Sequence, residues 1–437
     1  MRMIRMVYEQ EVLIVGAGPT GLTLAVDLAR RGVRVRIVDA AVEPSRGSRG
    51  KGIQPRTQEI FDLLGVMPEI AKAGGLYQRL RFHFGPFSFR GGSLGTRHAP
   101  TAATPYPNLL QVPQFKTEGV LRARLAELGV SVEYGRRFES FVQRDDGVEV
   151  ALSEGVLVRC AYLVGCDGGR SAVRKALGFG LVGSTVEDKT LLVGDVKVEG
   201  LSREDWHVWP WARGGMLGLC PMPHSDFFQV TCAKVEDVAG LIESVSKCRV
   251  TEVLTSSSYT PQARMVQRYR GGRVFLAGDA AHLHPPTGGQ GLNTGVQDAW
   301  NLGWKLAWAL RGGPDSILDS YQAERLPVAA AVLNLSRTLY VNRSLKRGAL
   351  TNQLGLHYRE SALSSGAPVG ELHPGDRMPD GRLPNGQRVF DVLRHPGATL
   401  LSRGDSKVLV RPDGYIARIG RDVVDHYAGL PVLRIST

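Results

Sequence analysis

VLIVGAGPTGLTLAVDLARRGVRVRIVD, residues 12–39, changes its apolar periodicity twice. Val12–Val15 is a short apolar run that meets Gly16-Ala17-Gly18-Pro19-Thr20-Gly21. Leu22, Ala25, Val26 and Ala29 then recur at helical spacing up to Gly32, and Val33, Val35, Ile37 and Val38 form a second run that ends at Asp39. Strand, tight turn, helix and strand in this order predict a dinucleotide-binding unit. Gly16 permits the turn, Gly18 lets backbone approach a pyrophosphate, and Gly21 permits close helix–strand packing. Pro19 and Thr20 share that loop, and the amides at the helix start can receive the anion. Asp39 is placed to accept ribose hydroxyls; a turn or capping carboxylate is its structural alternative.

A glycine triplet alone is weak, and the chain contains another. Gly178-Phe179-Gly180-Leu181-Val182-Gly183 has the same letters but follows the basic, helical Ser171–Leu177 segment instead of a strand, so a turn into the next element is expected there.

At 437 residues the chain is long enough for more than one domain, and 43 % apolar with 22 % charged residues is an ordinary globular balance. The formal charge of +12 favours phosphate-bearing or carboxylate ligands, but the basic residues are scattered, so no nucleic-acid role is expected. Five cysteines form neither a CxxC pair nor a zinc spacing, which predicts no metal site and a reducing compartment. No apolar run approaches the roughly 20 residues of a membrane span, and the first residues lack the apolar core of a signal peptide. A cytoplasmic protein with no membrane association is expected, as a monomer or homodimer.

Two further segments complete the pattern: YLVGCDGGRSAVR at 162–174 and GRVFLAGDAAHLHPPTGGQGLNTGVQDAWNLGWKLA at 272–307. In order and separation, these three motifs resemble the class A FAD-dependent aromatic-ring monooxygenases typified by para-hydroxybenzoate hydroxylase, above all their polyketide- and antibiotic-modifying branch. The resemblance covers most of residues 10–345. It implies an α/β fold with a Rossmann-like FAD-binding domain built from residues 1–179 plus 266–345 and an inserted mixed-sheet substrate domain at 180–265. Residues 346–437 would form a linker and a thioredoxin-like C-terminal module, identified by PGDRMPDG at 374–381, VFDVL at 389–393 and VLVRPDGYIAR at 408–418. That module lacks a redox CxxC. The short stretches near Val245 and Asp405 are abrupt beside relatives, as omitted residues or true deletions would make them, and the second falls within the C-terminal module.

The resemblance also assigns roles. Asp167 is expected to serve both FAD and nicotinamide, with Arg170 and Arg174 as nicotinamide candidates; salt-bridged turn residues are the alternative for the arginines. Gly278 and Asp279 lie at the end of the apolar run Val274–Leu276, where Asp279 resembles the carboxylate that bonds the flavin ribityl chain, a structural cap being the alternative. Pro286, Gly289 and Gly291 form a tight segment that delivers the Leu292 and Asn293 amides to a helix start beside the flavin ring. Arg49 and Gln114 resemble further FAD contacts, while Glu118 braces its helix.

The implied reaction is hydroxylation of a phenolic or polyketide aromatic substrate, in antibiotic biosynthesis or resistance, with NADPH or NADH as transient reductant and dioxygen as co-substrate, through a flavin C4a-hydroperoxide. Trp206, Trp209, Trp211, His224 and Phe228 are substrate-contact candidates, with core packing or a surface position as their alternatives. No residue is assigned as a catalytic base. A Baeyer–Villiger monooxygenase, a flavin reductase without oxygen transfer and a non-enzymatic flavin-binding interaction protein are the alternatives weighed.

Overall fold

The structure, a computed structural model, describes residues 10–186, 190–212, 215–285, 288–342, 348–423 and 431–435. Its first layer is an eight-stranded sheet whose centre is parallel. In that sheet β1 (Gln10–Val15) pairs with β2 (Val35–Val38) on one side and β4 (Val156–Gly165) on the other. β3 (Val132–Glu133) extends it beyond β2, and β5 (Val274–Leu276) lies beyond β4. The chain moves one way from β1 to β2 and later returns to the opposite side of β1. A crevice therefore opens at the carboxyl ends of β1 and β4, where ligands bind in sheets of this type.

Helix α1 (Pro19–Arg30) covers the sheet, with Leu22, Leu24, Ala25, Val26 and Leu28 buried. Proline is tolerated at its first position because that amide has no helical partner. α2 (Gln114–Glu127) packs beside α1. Helix α3 (Gly291–Leu310) is buried on all faces from Asn293 to Trp308, which fits an element enclosed by α1, by α4 (Ser316–Val341) and by the C-terminal residues.

The inserted unit is a seven-stranded sheet in the order 249–259, 191–199, 227–233, 215–221, 205–212, 79–84 and 87–90. The boundary expected at residue 180 is thus corrected: Arg79–Phe84 joins this sheet through parallel pairing of Asp205–Val208 with Arg79–Phe82. One face buries Val196, Leu219, Phe228 and Val230 with Ile242 of the Val238–Ser246 helix. The opposite face meets the first unit, where Asp195 accepts from the Ser48 amide at 2.8 Å and Gln229 donates to the Ser48 carbonyl. The second glycine triplet is a turn: Gly178 has φ +70° and leads toward the strand Val182–Thr185.

Residues 365–435 contain a five-stranded mixed sheet. The abrupt stretch at Asp405 is a tight antiparallel connection between Ala398–Arg403 and Ser406–Val410, with Gly404 at φ +59°. The stretch after Val245 passes from the Val238–Ser246 helix into the strand Arg249–Tyr259. The C-terminal sheet shares the main core, to which Leu372, Phe390, Val410 and Ile416 contribute beside Leu24 and Trp304. All five cysteines are free thiols. Among the described residues, no helix is long and apolar enough to cross a membrane and no acidic, histidine or cysteine cluster could hold a metal ion.

Candidate flavin-binding site

The crevice at the end of β1 is a cleft of about 660 Å³. Gly16 has φ +105°, and a Cβ there would stand 2.4 Å from the Cys166 carbonyl oxygen at the end of β4. A Cβ on Gly21 would stand 2.0 Å from the Gly16 oxygen, so these glycines set turn and packing. Gly18 differs: it precedes α1, no protein atom lies within 4 Å of a Cβ built there, and it lines the cleft. Space is kept for a ligand, with the unpaired first-turn amides of α1 beside it.

Asp39 faces the same cleft from the end of β2. Its two oxygens accept from the Ala17 amide at 2.7 Å and the Ala41 amide at 2.8 Å, which fixes the carboxylate while leaving each oxygen a lone pair. Asp167 likewise lines the cleft and caps the following turn, accepting from Ser171 Oγ at 2.5 Å and the Ala172 amide at 2.6 Å. Arg170 is an exposed cleft residue. Arg174 does not line the cleft: it is buried and donates to the Ala280 and Gly169 carbonyls at 3.1 and 3.0 Å, bracing two turns.

The third motif closes the other side. A Cβ on Gly278 would lie 2.5 Å from Thr20 Oγ1, so the turn after β5 sits directly on the first glycine loop. Asp279 projects into the cleft, where the surrounding protein pushes its carboxyl above the usual range against the pull of His282 and Arg49. Gly289, Gly291 and Leu292 line the cleft at the start of α3. Asn293 is buried just beneath, donating to the Gly52 and Gly289 carbonyls at 2.8 and 2.7 Å and accepting from the Gln54 amide at 2.8 Å. Pro286 lies outside the described residues.

Arg49 lines the opposite wall beside Gly50. Gln114 holds that loop, accepting from the Gly50 amide at 2.8 Å and donating to Glu118 Oε1 at 2.8 Å. Both ends of the Gln114 amide are therefore engaged within the protein. Glu118 is buried in the cleft wall, and burial pushes its carboxyl up to about 6 despite the Gln114 hydrogen bond and Arg122.

Two helix N-termini, an open glycine and carboxylates on both flanks make a receptacle for an extended dinucleotide. The FAD binding domain family matches residues 9–336. A flavin-dependent monooxygenase of Mycobacteroides abscessus is 42 % identical over 472 aligned positions, covering 95 % of this chain and 99 % of the relative. The chain belongs to the class A FAD-dependent aromatic-ring monooxygenases. This monooxygenase is also 34 % identical to a rifampicin monooxygenase of Streptomyces venezuelae, covering 96 % of the chain and 98 % of the relative. It superposes on the flavin-dependent monooxygenase PieE, solved with FAD and substrate, with a TM-score of 0.82 and 25 % identity over 94 % of this chain and 96 % of that one.

The substrate candidates fare less well. Trp209 lies in the core of the inserted sheet with Phe228, while Trp211 stands 81 % exposed on the outside against Phe84. His224 is exposed and bonds the Gly74 carbonyl through Nε2 at 3.0 Å. None of these four lines the flavin cleft or the adjoining cavity described below. Trp206 stands behind both, with the Lys51 ammonium 4.2 Å over its ring and the Tyr77 ring 6.0 Å away. The sequence reading also passed over His284, a cleft residue whose only signal was the HLH spacing within the third motif.

Proposed function

We propose that this enzyme hydroxylates an electron-rich aromatic ring of a polyketide or related antibiotic, with NAD(P)H as reductant and dioxygen as the oxygen source. The observation that carries this reading is a second cavity, about 270 Å³, lined by Tyr77, Leu94, Leu109, Arg97, Asn108 and Gln54. A thin wall separates it from the flavin cleft. Gly52 lines the cleft, and a Cβ there would lie 3.1 Å from the Tyr77 hydroxyl and 3.4 Å from Leu109 in the cavity. Gln54 lines the cavity while its amide is held by Asn293 at the start of α3. Walls that mix Leu94, Leu109 and the Tyr77 ring with polar groups such as Arg97, Asn108 and Gln54 suit a flat aromatic ligand bearing phenolic or carbonyl oxygens.

Bound FAD supplies hydride acceptance from the nicotinamide and activation of dioxygen. The chain's own part is placement. Asp39 and the first amides of α1 hold the ribose and pyrophosphate. Asp279, Arg49 and the amides of Gly291, Leu292 and Asn293 would hold the ribityl chain and the ring. Arg170, exposed at the cleft, is one cation offered to a transient nicotinamide dinucleotide.

Filling the cavity tests the assignment. Leu94 is buried at its wall. Leu94→Trp should leave FAD content unchanged and abolish product formation from phenolic polyketides, rifamycins or tetracyclines that the native enzyme accepts. Undiminished product from the Leu94→Trp enzyme would place the substrate elsewhere.

A further inference from the structure

Behind the cleft runs a chain of three side chains, of which His282 and Asp298 are buried and His284 is half-buried. His282 and His284 are two residues apart at the Leu283 strand, so they share a face. His282 Nε2 lies 2.6 Å from Asp298 Oδ2, and His282 Nδ1 lies 2.8 Å from His284 Nε2. Asp298 Oδ1 also receives Arg325 Nε at 2.7 Å, and its Oδ2 receives the Gly278 amide at 3.1 Å. Arg325 and His282 hold the Asp298 carboxyl below its usual range although burial opposes them.

An ionised Asp298 only accepts, so His282 Nε2 carries a proton. A neutral His282 then has a bare Nδ1 that accepts from His284 Nε2–H, whereas its imidazolium would donate there instead. Burial drives His284 well below the ordinary histidine value, so it holds a single ring proton. With His282 neutral that proton sits on Nε2, and Nδ1 is a bare acceptor. That atom is buried and has no hydrogen-bond partner among the described residues. His284 lines the flavin cleft, and a Cβ on Gly291 would sit 3.8 Å from Asp279 Oδ1 and 4.0 Å from His284 Cδ2. Tyr269, whose ring centroid is 6.1 Å from that of His282, Tyr321, Cys166 and Arg49 are further ionisable groups around this corner.

We propose that Asp298 and His282 fix the tautomer of His284 so that its Nδ1 accepts a hydrogen bond from a ribityl hydroxyl of bound FAD, which makes His284 a cofactor-positioning residue. The inference rests on FAD occupying this cleft. A bare acceptor repels phosphate and ring carbonyl oxygens and selects a hydroxyl donor, the group the ribityl chain carries. Replacing the relay by apolar groups would leave that hydroxyl unpaired in a desolvated site.

Nitrogen-15 NMR of histidine-labelled protein reads the tautomer directly. His284 Nδ1 should be unprotonated between about pH 6 and 9 in the flavin-free protein, and its resonance should move on FAD addition. His284→Ala should weaken FAD about tenfold, the scale of one lost hydrogen bond in a buried site, while ADP, which lacks the ribityl chain, binds as to the native protein. A protonated Nδ1 at neutral pH, a resonance that FAD does not move, or equal losses for FAD and ADP would each overturn the proposal. Failure of the native protein to bind FAD would instead remove the reading beneath it.

Discussion

Glu118 is a carboxyl held in the cleft wall with its nearest cation, Arg122, 3.8 Å away. Its ordinary value is 4.5 and burial takes it to about 6. The folded protein therefore keeps this proton longer than the unfolded chain. The resulting destabilisation is absent below about 4.5, grows as pH rises through the gap, and above about 6 reaches roughly 2 kcal/mol. Glu118→Gln keeps the acceptor for Gln114 and removes the charge. Thermal melts should show the variant gaining over the native protein at about pH 7.5 but not at about pH 4.5; an equal difference at both would contradict the burial account. Asp279 makes a second prediction. Asp279→Ala should weaken FAD by about ten- to hundredfold, the scale of a hydrogen bond to a charged group, with circular dichroism unchanged. Unchanged affinity would return Asp279 to a structural cap. Asp39, Asp167 and Asp279 were legible in sequence because each ends a strand at a fixed offset from glycine. The cavity residues Tyr77, Leu94, Arg97 and Asn108 were not, since they come from loops without periodicity and meet only through the fold.

At the scale of elements, the two glycines that open α1 separate folding from binding. Gly21→Ala drives a methyl group to 2.0 Å from the Gly16 oxygen and should cost about 3 kcal/mol of stability along with FAD binding. Gly18→Ala meets no protein atom within 4 Å, so its melting temperature should stay near native while FAD binding falls at least about tenfold. Melting curves with and without FAD distinguish them, and equal stability losses would contradict the assignment of distinct roles. The β1–α1–β2 unit could be read from sequence because its partners are neighbours in the chain. The strand Arg79–Phe84 could not. It pairs with Asp205–Val208, more than a hundred residues away, and no local pattern announces a parallel partner at that distance. Trp209 and Trp211 mislead for a related reason: a register shift between Trp209 and Ala212 breaks the alternation, so Trp209 packs in the core beside His83 while Trp211 stands outside against Phe84.

Across the whole molecule, the C-terminal residues are tied into the catalytic body by buried charge. Arg411 donates to Glu324 at 2.6 and 2.8 Å and to Asp413 at 3.0 and 2.6 Å, while Trp300 Nε1 donates to the Asp413 carbonyl at 2.9 Å. Beside them Lys305 is lowered to about 8 by burial. Arg411→Met leaves buried carboxylates short of a cation and should cost about 3–5 kcal/mol. Because the core is shared, calorimetry should show one transition moving down; an early separate transition of the C-terminal residues would contradict a common core. That shared body holds the flavin cleft and the second cavity on either side of Gly52. The decisive measurement mixes the reduced holoenzyme with isotope-labelled dioxygen and a phenolic polyketide, then weighs the product. One labelled oxygen atom in a hydroxylated ring is predicted. A labelled lactone, or hydrogen peroxide alone with an authentic bound substrate, would contradict the account.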